Sequence, residues 1–373
     1  MTNFMYILKL LAITACVFLF TSCTSEKNAI SITHATDKSF ISTVSFDLDS
    51  IVELAPRSDN WVVTWASDDH QYTSWGDGGG FDGDNQDGRV SMGVARIEGD
   101  SNSFSGINIW GGKNALTPAT FQGKSYGLLA VNSTLWLWKT GNDSDNSAFN
   151  EQSLYRSIDN TLTWQTTGVS FTPEDFDSNH GFFAPTFLQF GKAYQGARDG
   201  YIYSYAVEIT DKETWDVQKP GMISLFRSPK DQASNMQAYE YYSGIDANGE
   251  PIWVKEVNER KPVLEDARGF MRPAVNYNKG LDRYFLITQM ESRFENKDGL
   301  IGLYEADTPW GPWREVLIKS PWEMGLQTGH KSVFWNFSNK WTSQDGKSFV
   351  LIYTGPSSDN FGAIKGSFKL KEH

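Results

Sequence analysis

Residues 71–78, QYTSWGDG, decide the reading of the chain, because the same kind of strand returns four more times. TLWLWKTG begins at Thr134, YIYSYAVEI at Tyr201, RYFLITQ at Arg283 and SFVLIYTG at Ser348, so successive starts lie 63, 67, 82 and 65 residues apart. Aromatic and β-branched runs recurring at a period this long point to propeller blades rather than to a helical repeat. The expectation is an all-β chain forming a single β-propeller. Five blades is the count; six or seven stays open, because the 82-residue step has room for another hairpin.

Each period holds further strands. Ahead of the repeated one lies an apolar run that reads as channel-lining: Trp61–Ala66, Tyr126–Val131, Phe182–Gln189, Met271–Asn276 and Lys331–Phe337. A third strand follows it each time, and outer strands are expected at Leu162–Thr166, Tyr239–Ile245 and Trp313–Ile318. The last period reaches the C-terminus without an outer strand, and Phe40–Leu48 (FISTVSFDL) alternates well enough to supply one and close the ring.

The first residues read as a targeting segment. Lys9, an apolar run from Leu10 to Phe20 and Thr21-Ser22-Cys23 resemble a bacterial lipoprotein signal, which makes 1–22 the leader, Cys23 the lipidated residue, 23–38 a flexible tether and 39–373 the propeller. The implied location is the cell envelope, at the outer membrane through a lipid anchor. Cys16 lies within the leader, so the mature domain has neither a disulfide nor a thiol nucleophile. A formal charge of -12 argues against nucleic acid as a partner. Aromatic residues at 14%, with 14 Trp, suit both a β fold and a cleft in which ring faces stack on sugars.

Candidate functional residues follow from where a propeller gathers its strand ends. His180 and His330 stand just before two channel strands, where imidazoles suit proton transfer near neutral pH. Lys124, Arg198, Arg272 and Lys331 put cations at strand ends, a pocket for a carboxylate or sulfate. Trp61, Tyr126, Tyr203 and Tyr277 are candidate stacking platforms or proton donors. Asp68, Asp69 and Asp77 flank the second strand, where a glycosidase would keep its acid–base pair, although carboxylates beside glycines also cap turns. Asp82-Gly-Asp84-Asn-Gln-Asp87 departs from calcium-loop spacing, and no metal or other cofactor is expected.

Two short segments add to the fold. Ser157-Ile-Asp159-Asn-Thr161-Leu-Thr163-Trp164 resembles the Asp-box hairpin, with Thr161 in the glycine position. Ala306–Trp313 (ADTPWGPW) resembles a turn of five-bladed glycosidase propellers. More broadly, NWVVTWASDDHQYTSWGDGGGF, FFAPTFLQFGKAYQGARDGYIYSYA, VQKPGMISLFRSP and WNFSNKWTSQDGKSFVLIYTG resemble secreted propeller domains of Bacteroidetes polysaccharide-degradation systems, from Asn60 onward. Among them the ulvan-oligosaccharide dehydratases are the nearest likeness and the propeller ulvan lyases a more distant one. No catalytic motif of either transfers residue by residue.

That resemblance implies a carbon–oxygen lyase acting on an acidic, uronate- and sulfate-bearing oligosaccharide. Arg272 or Lys331 would neutralise the carboxylate, His180 or His330 would take the proton, and Tyr126 or the other histidine would protonate the departing group; Arg198, Lys124, Trp61, Tyr277 and Asp68 would line the substrate. The alternatives are a glycoside hydrolase of the five-bladed type, dependent on Asp68 or Asp77, and a glycan-binding surface lipoprotein without catalysis.

Overall fold

The computed structural model describes residues 28–32, 39–141, 151–177, 181–211, 216–291, 299–321, 324, 334–355 and 359–372. The leader, Cys23, His180, His330 and Lys331 lie outside them. Among the described residues every regular element is a β-strand or a short 3-10 turn.

Among the described residues the strands fall into five antiparallel units, the third and fourth joined into one sheet by the parallel pairing Leu188↔Val275 and Gln189↔Asn276. The first runs Asp59–Trp65, Gln71–Gly78, Val90–Asp100, Ser103–Trp110, and the second Lys124–Val131, Thr134–Thr140, Gln152–Ser157, Gln165–Phe171. The third begins Phe182–Gln189, Tyr201–Glu208, Gly221–Pro229, and the fourth runs Met271–Asn278, Arg283–Met290, Leu300–Ala306, Arg314–Lys319. In the fifth, Trp335–Phe337, Ser348–Thr354 and Phe361–Leu370 are completed by the N-terminal Ile41–Leu54, paired from Ile41↔Leu370 to Leu54↔Phe361. The innermost strands pack first on second, second on third, third on fourth, fourth on fifth and fifth back on first, which closes the propeller around an axis.

The repeated second strands lie where the sequence puts them, as do the channel strands to within a few residues. The long 82-residue step is an elaborated outer edge: Glu240–Ile245 pairs with Pro251–Val254, and Pro262–Asp266 returns to pair with the Gly221–Pro229 strand. The tether reading needs a correction, since Ala29–Ile32 within 23–38 forms an edge strand against Val44–Asp47. Its Ile30 packs on the apolar face that Val44 and Phe46 bury, which gives those residues a reason to leave water.

Side chains fill the wedges between units. Trp138 lies stacked on Phe187, 6.0 Å between centroids, and meets Phe226 edge-on at 5.9 Å. Trp61, Trp75, Phe81 and Phe361 make a second cluster where the first and fifth units meet. The Asp-box resemblance holds locally: Asp159 accepts from Ser157 Oγ at 2.8 Å and from the Thr163 amide at 3.0 Å, while Thr161 sits at φ +72° in the glycine place. Asp84 likewise accepts from the Gln86 and Asp87 amides, as a turn cap does.

Candidate active site

Four of the five innermost strands break register within their first few residues. The breaks fall between Asp59 and Val62, Ser125 and Gly127, Phe183 and Thr186, and Met271 and Ala274. Asn60, Ala184 and Arg272 occupy the left-handed region there, at φ +59°, +51° and +55°. Pro185 and Pro273 follow two of them, and a proline inside a strand suits a bulge because the ladder there needs no donor. Such bulges turn side chains out of the sheet. In a propeller, the same turn made in neighbouring units aims them at one axial mouth.

The group at that mouth is mixed in charge. Lys124, buried, pairs with Asp77 at 2.7 Å and donates to the Ser91 carbonyl at 3.1 Å. Arg89 holds the other Asp77 oxygen at 3.0 Å. Asp59 is half-buried beside them, its Oδ1 accepting from Asn60 Nδ2 at 2.7 Å. It fits because Gly76 stands opposite: a Cβ there would come within 2.9 Å of Asp59 Oδ1. Loss of water pushes the Asp59 carboxyl up to about 7. Lys124 and Arg272 pull it down, Asp77 and Asp359 push it further up, and desolvation outweighs them all.

Arg272 is also buried, with its guanidinium 5.2 Å from the centre of the Tyr126 ring and its Nε unpartnered. Burial drives the Tyr126 phenol well above its ordinary range, so it keeps its proton at neutral pH. Asp59, Asp77, Lys124, Tyr126 and Arg272 therefore make one cluster drawn from three units.

Other expected residues lie elsewhere. Tyr277 is five residues beyond Arg272 on the same strand, about 17 Å along it, and Arg198 donates to its hydroxyl at 3.1 Å, both at the opposite end of the channel. Asp68 is at that far end too, accepting from the Tyr72 hydroxyl at 2.8 Å and the His70 amide at 3.1 Å as a turn cap. Trp61 is wholly buried between Trp75 and Phe361 and donates to the Ser58 carbonyl, so it is core and not a sugar platform. Asp59 and Asp359 were not foreseen. Asp59 stands one residue before the Asn60–Phe81 segment, and the available signal was an acidic residue opening a channel strand opposite a glycine.

No protein-family model and no curated protein sequence matches the chain. Among solved structures it is similar to a hydrolase candidate from Bacteroides ovatus, at 13% identity and a TM-score of 0.54 over 92% of this chain and 94% of that one. A thermostable family-43 glycoside hydrolase is similar at 13% identity and a TM-score of 0.50, over 85% of this chain and 90% of that one. A GH43_1 enzyme from Xanthomonas citri, complexed with xylotriose, follows at 12% identity and 0.48, over 86% and 90%.

The likeness to these propellers is one of fold, and it corrects the expected chemistry. The neighbours are hydrolases, not lyases, so the reading as an ulvan-type dehydratase or β-eliminating lyase is withdrawn. Lys124, expected to line the substrate, is paired with Asp77.

Proposed function

We propose that the protein is a glycoside hydrolase whose acid–base carboxyls are Asp59 and Asp77. The observation that carries this reading is Asp59 itself, a carboxyl at the axial mouth whose surroundings raise it to about 7. Such a group still holds its proton at the pH where an ordinary carboxyl has lost it, which general acid catalysis requires. A neighbour in ion pairs with Lys124 and Arg89 complements it as the proton acceptor.

In the reaction, Asp59 gives its proton to the glycosidic oxygen as the anomeric C–O bond breaks. Water supplies the hydroxyl to the anomeric carbon, and its released proton passes to Asp77. The charge left on Asp59 is met by Lys124 and Arg272, which already face it. The half-exposed Asp77 side chain, 39% accessible, leaves room for the water. The substrate class is an oligosaccharide.

The test is reducing-sugar release from a panel of xylo-, gluco-, galacto- and arabino-oligosaccharides of two to six units. The wild-type protein should release product from at least one, with Asp59→Asn and Asp77→Asn each reducing kcat by a hundredfold or more. Full activity in both variants would remove the assignment.

A further inference from the structure

The far mouth of the channel, opposite the carboxyl cluster, holds a cavity of about 640 Å³ that the hydrolytic reading does not use. Its lining includes Trp65, Tyr277, Lys192, Gln195, Lys279 and Gln344. We propose that it is a second, non-catalytic binding site for an oligosaccharide.

Three observations support that ligand. The first is a fixed aromatic wall. The Trp65 indole N–H donates to Asp69 Oδ1 at 3.1 Å, and Lys192 pairs with the same oxygen at 2.8 Å while its ammonium lies 5.8 Å from the Trp65 ring centre. The indole is thus oriented before a ligand arrives, which lowers the entropy lost on binding. Tyr277 adds a second ring, held by its hydroxyl to Asp282 at 2.8 Å and packed on Tyr284 and Phe190. A rigid ring face beside polar groups suits the alternating C–H faces and hydroxyls of a pyranose.

The second observation is the rim. The side chains of Gln195, Lys279 and Gln344 are exposed and form no hydrogen bond among the described residues. They carry donors and acceptors ready for hydroxyls. Gln195 is presented by a strained loop in which Ala193 and Tyr194 both have positive φ, +48° and +64°, held by the Asn132 amide on the Ala193 carbonyl and the Gly196 amide on the Phe190 carbonyl. The third is charge. Lys192 and Lys340 are both engaged with Asp69, whose carboxyl the bond from Lys192 holds below its ordinary range. Lys192 and Lys340 are thus occupied by a carboxylate of the chain itself, and Lys279 remains at the rim as a cation that can donate to ligand hydroxyls.

Polar side chains link the innermost strands on the acid–base side of the cavity. Just inside it, Thr64 Oγ1 donates to Gln189 Oε1 at 2.9 Å and Gln189 Nε2 to the Leu128 carbonyl at 2.8 Å. Asn276 ties the other side of the channel to the Phe337 carbonyl and to Asn339. A sugar held here lies at the opposite end of the channel from Asp59.

The proposal is tested by calorimetric titration of the Asp59→Asn protein, in which turnover is removed, with the same neutral oligosaccharide panel. Binding of at least one member should persist and weaken about tenfold in Asp59→Asn carrying Trp65→Ala. Gln195→Ala and Gln344→Ala, at exposed positions that do not threaten folding, should each weaken it several-fold. Unchanged affinity in all three, or no binding across the panel, overturns the second site. The hydrolase reading fails differently, by an absence of released reducing sugar from the wild-type protein.

Discussion

Asp59 links the chemistry to a cost in stability. The folded protein raises its carboxyl from 3.8 to about 7, so it holds that proton more tightly than the unfolded chain does. Stabilisation tied to the protonated form is complete below about pH 4 and is lost as pH rises through about 7. Three units amount to about 4 kcal/mol at most. Asp59→Asn should therefore unfold at a higher temperature than wild type at pH 8 and at nearly the same temperature at pH 4, followed by circular dichroism. An equal difference at both pH values would mean that the carboxyl is not desolvated. At this scale the sequence was least legible. Trp61 and Asp59 lie two residues apart at one strand start, and only the bulge between Asp59 and Val62 tells which belongs to the core and which to the mouth. The places of Arg272 and Tyr126 near the starts of channel strands were readable. Thr161 was readable as the glycine of its turn, and its φ of +72° bears that out.

At the scale of elements, strand order was open to reading because burial on both faces writes continuous apolar runs, and these recur once per unit. The outer strands were harder. Ser103–Trp110 has exposed and half-buried positions over most of its length and was not expected, and Gln165–Phe171 begins three residues later than its predicted start. The polar residues inside the channel strands were the subtler omission. Gln189 bridges three units through Thr64 and Leu128, and Asn276 ties the fourth unit to the fifth through the Phe337 carbonyl. Replacing Gln189 by Leu keeps the bulk but leaves the Thr64 hydroxyl and the Leu128 carbonyl without that partner. Each buried polar group so stranded costs about 1–3 kcal/mol. A fall in urea-unfolding free energy of about 2–4 kcal/mol is expected for Gln189→Leu; a variant as stable as wild type would show that the bridge contributes little.

At the scale of the whole molecule, the ring is closed by chain ends. Ile41–Leu54 covers the edge of Phe361–Leu370 and buries Ile41, Val44 and Phe46 against Phe349 and Phe368. A chain begun at Ala55 loses that pairing and exposes the apolar face, so it should give no cooperative thermal transition and should aggregate. A sharp transition within a few degrees of wild type would show that the ring holds without its clasp. Closure itself was legible from the unmatched last period and the alternation of Phe40–Leu48. The chemistry was not, because the fold brings residues of three units to one mouth and no linear spacing records which end of each strand they occupy.

The central claim is that Asp59 works as the protonated acid of a hydrolase. Its most direct test is the pH dependence of kcat/KM on whichever oligosaccharide the wild-type protein cleaves. The account predicts a decline with a midpoint near pH 7, tenfold per unit above it, as the Asp59 carboxyl gives up its proton. Activity that stays level from pH 6 to pH 9 would contradict it.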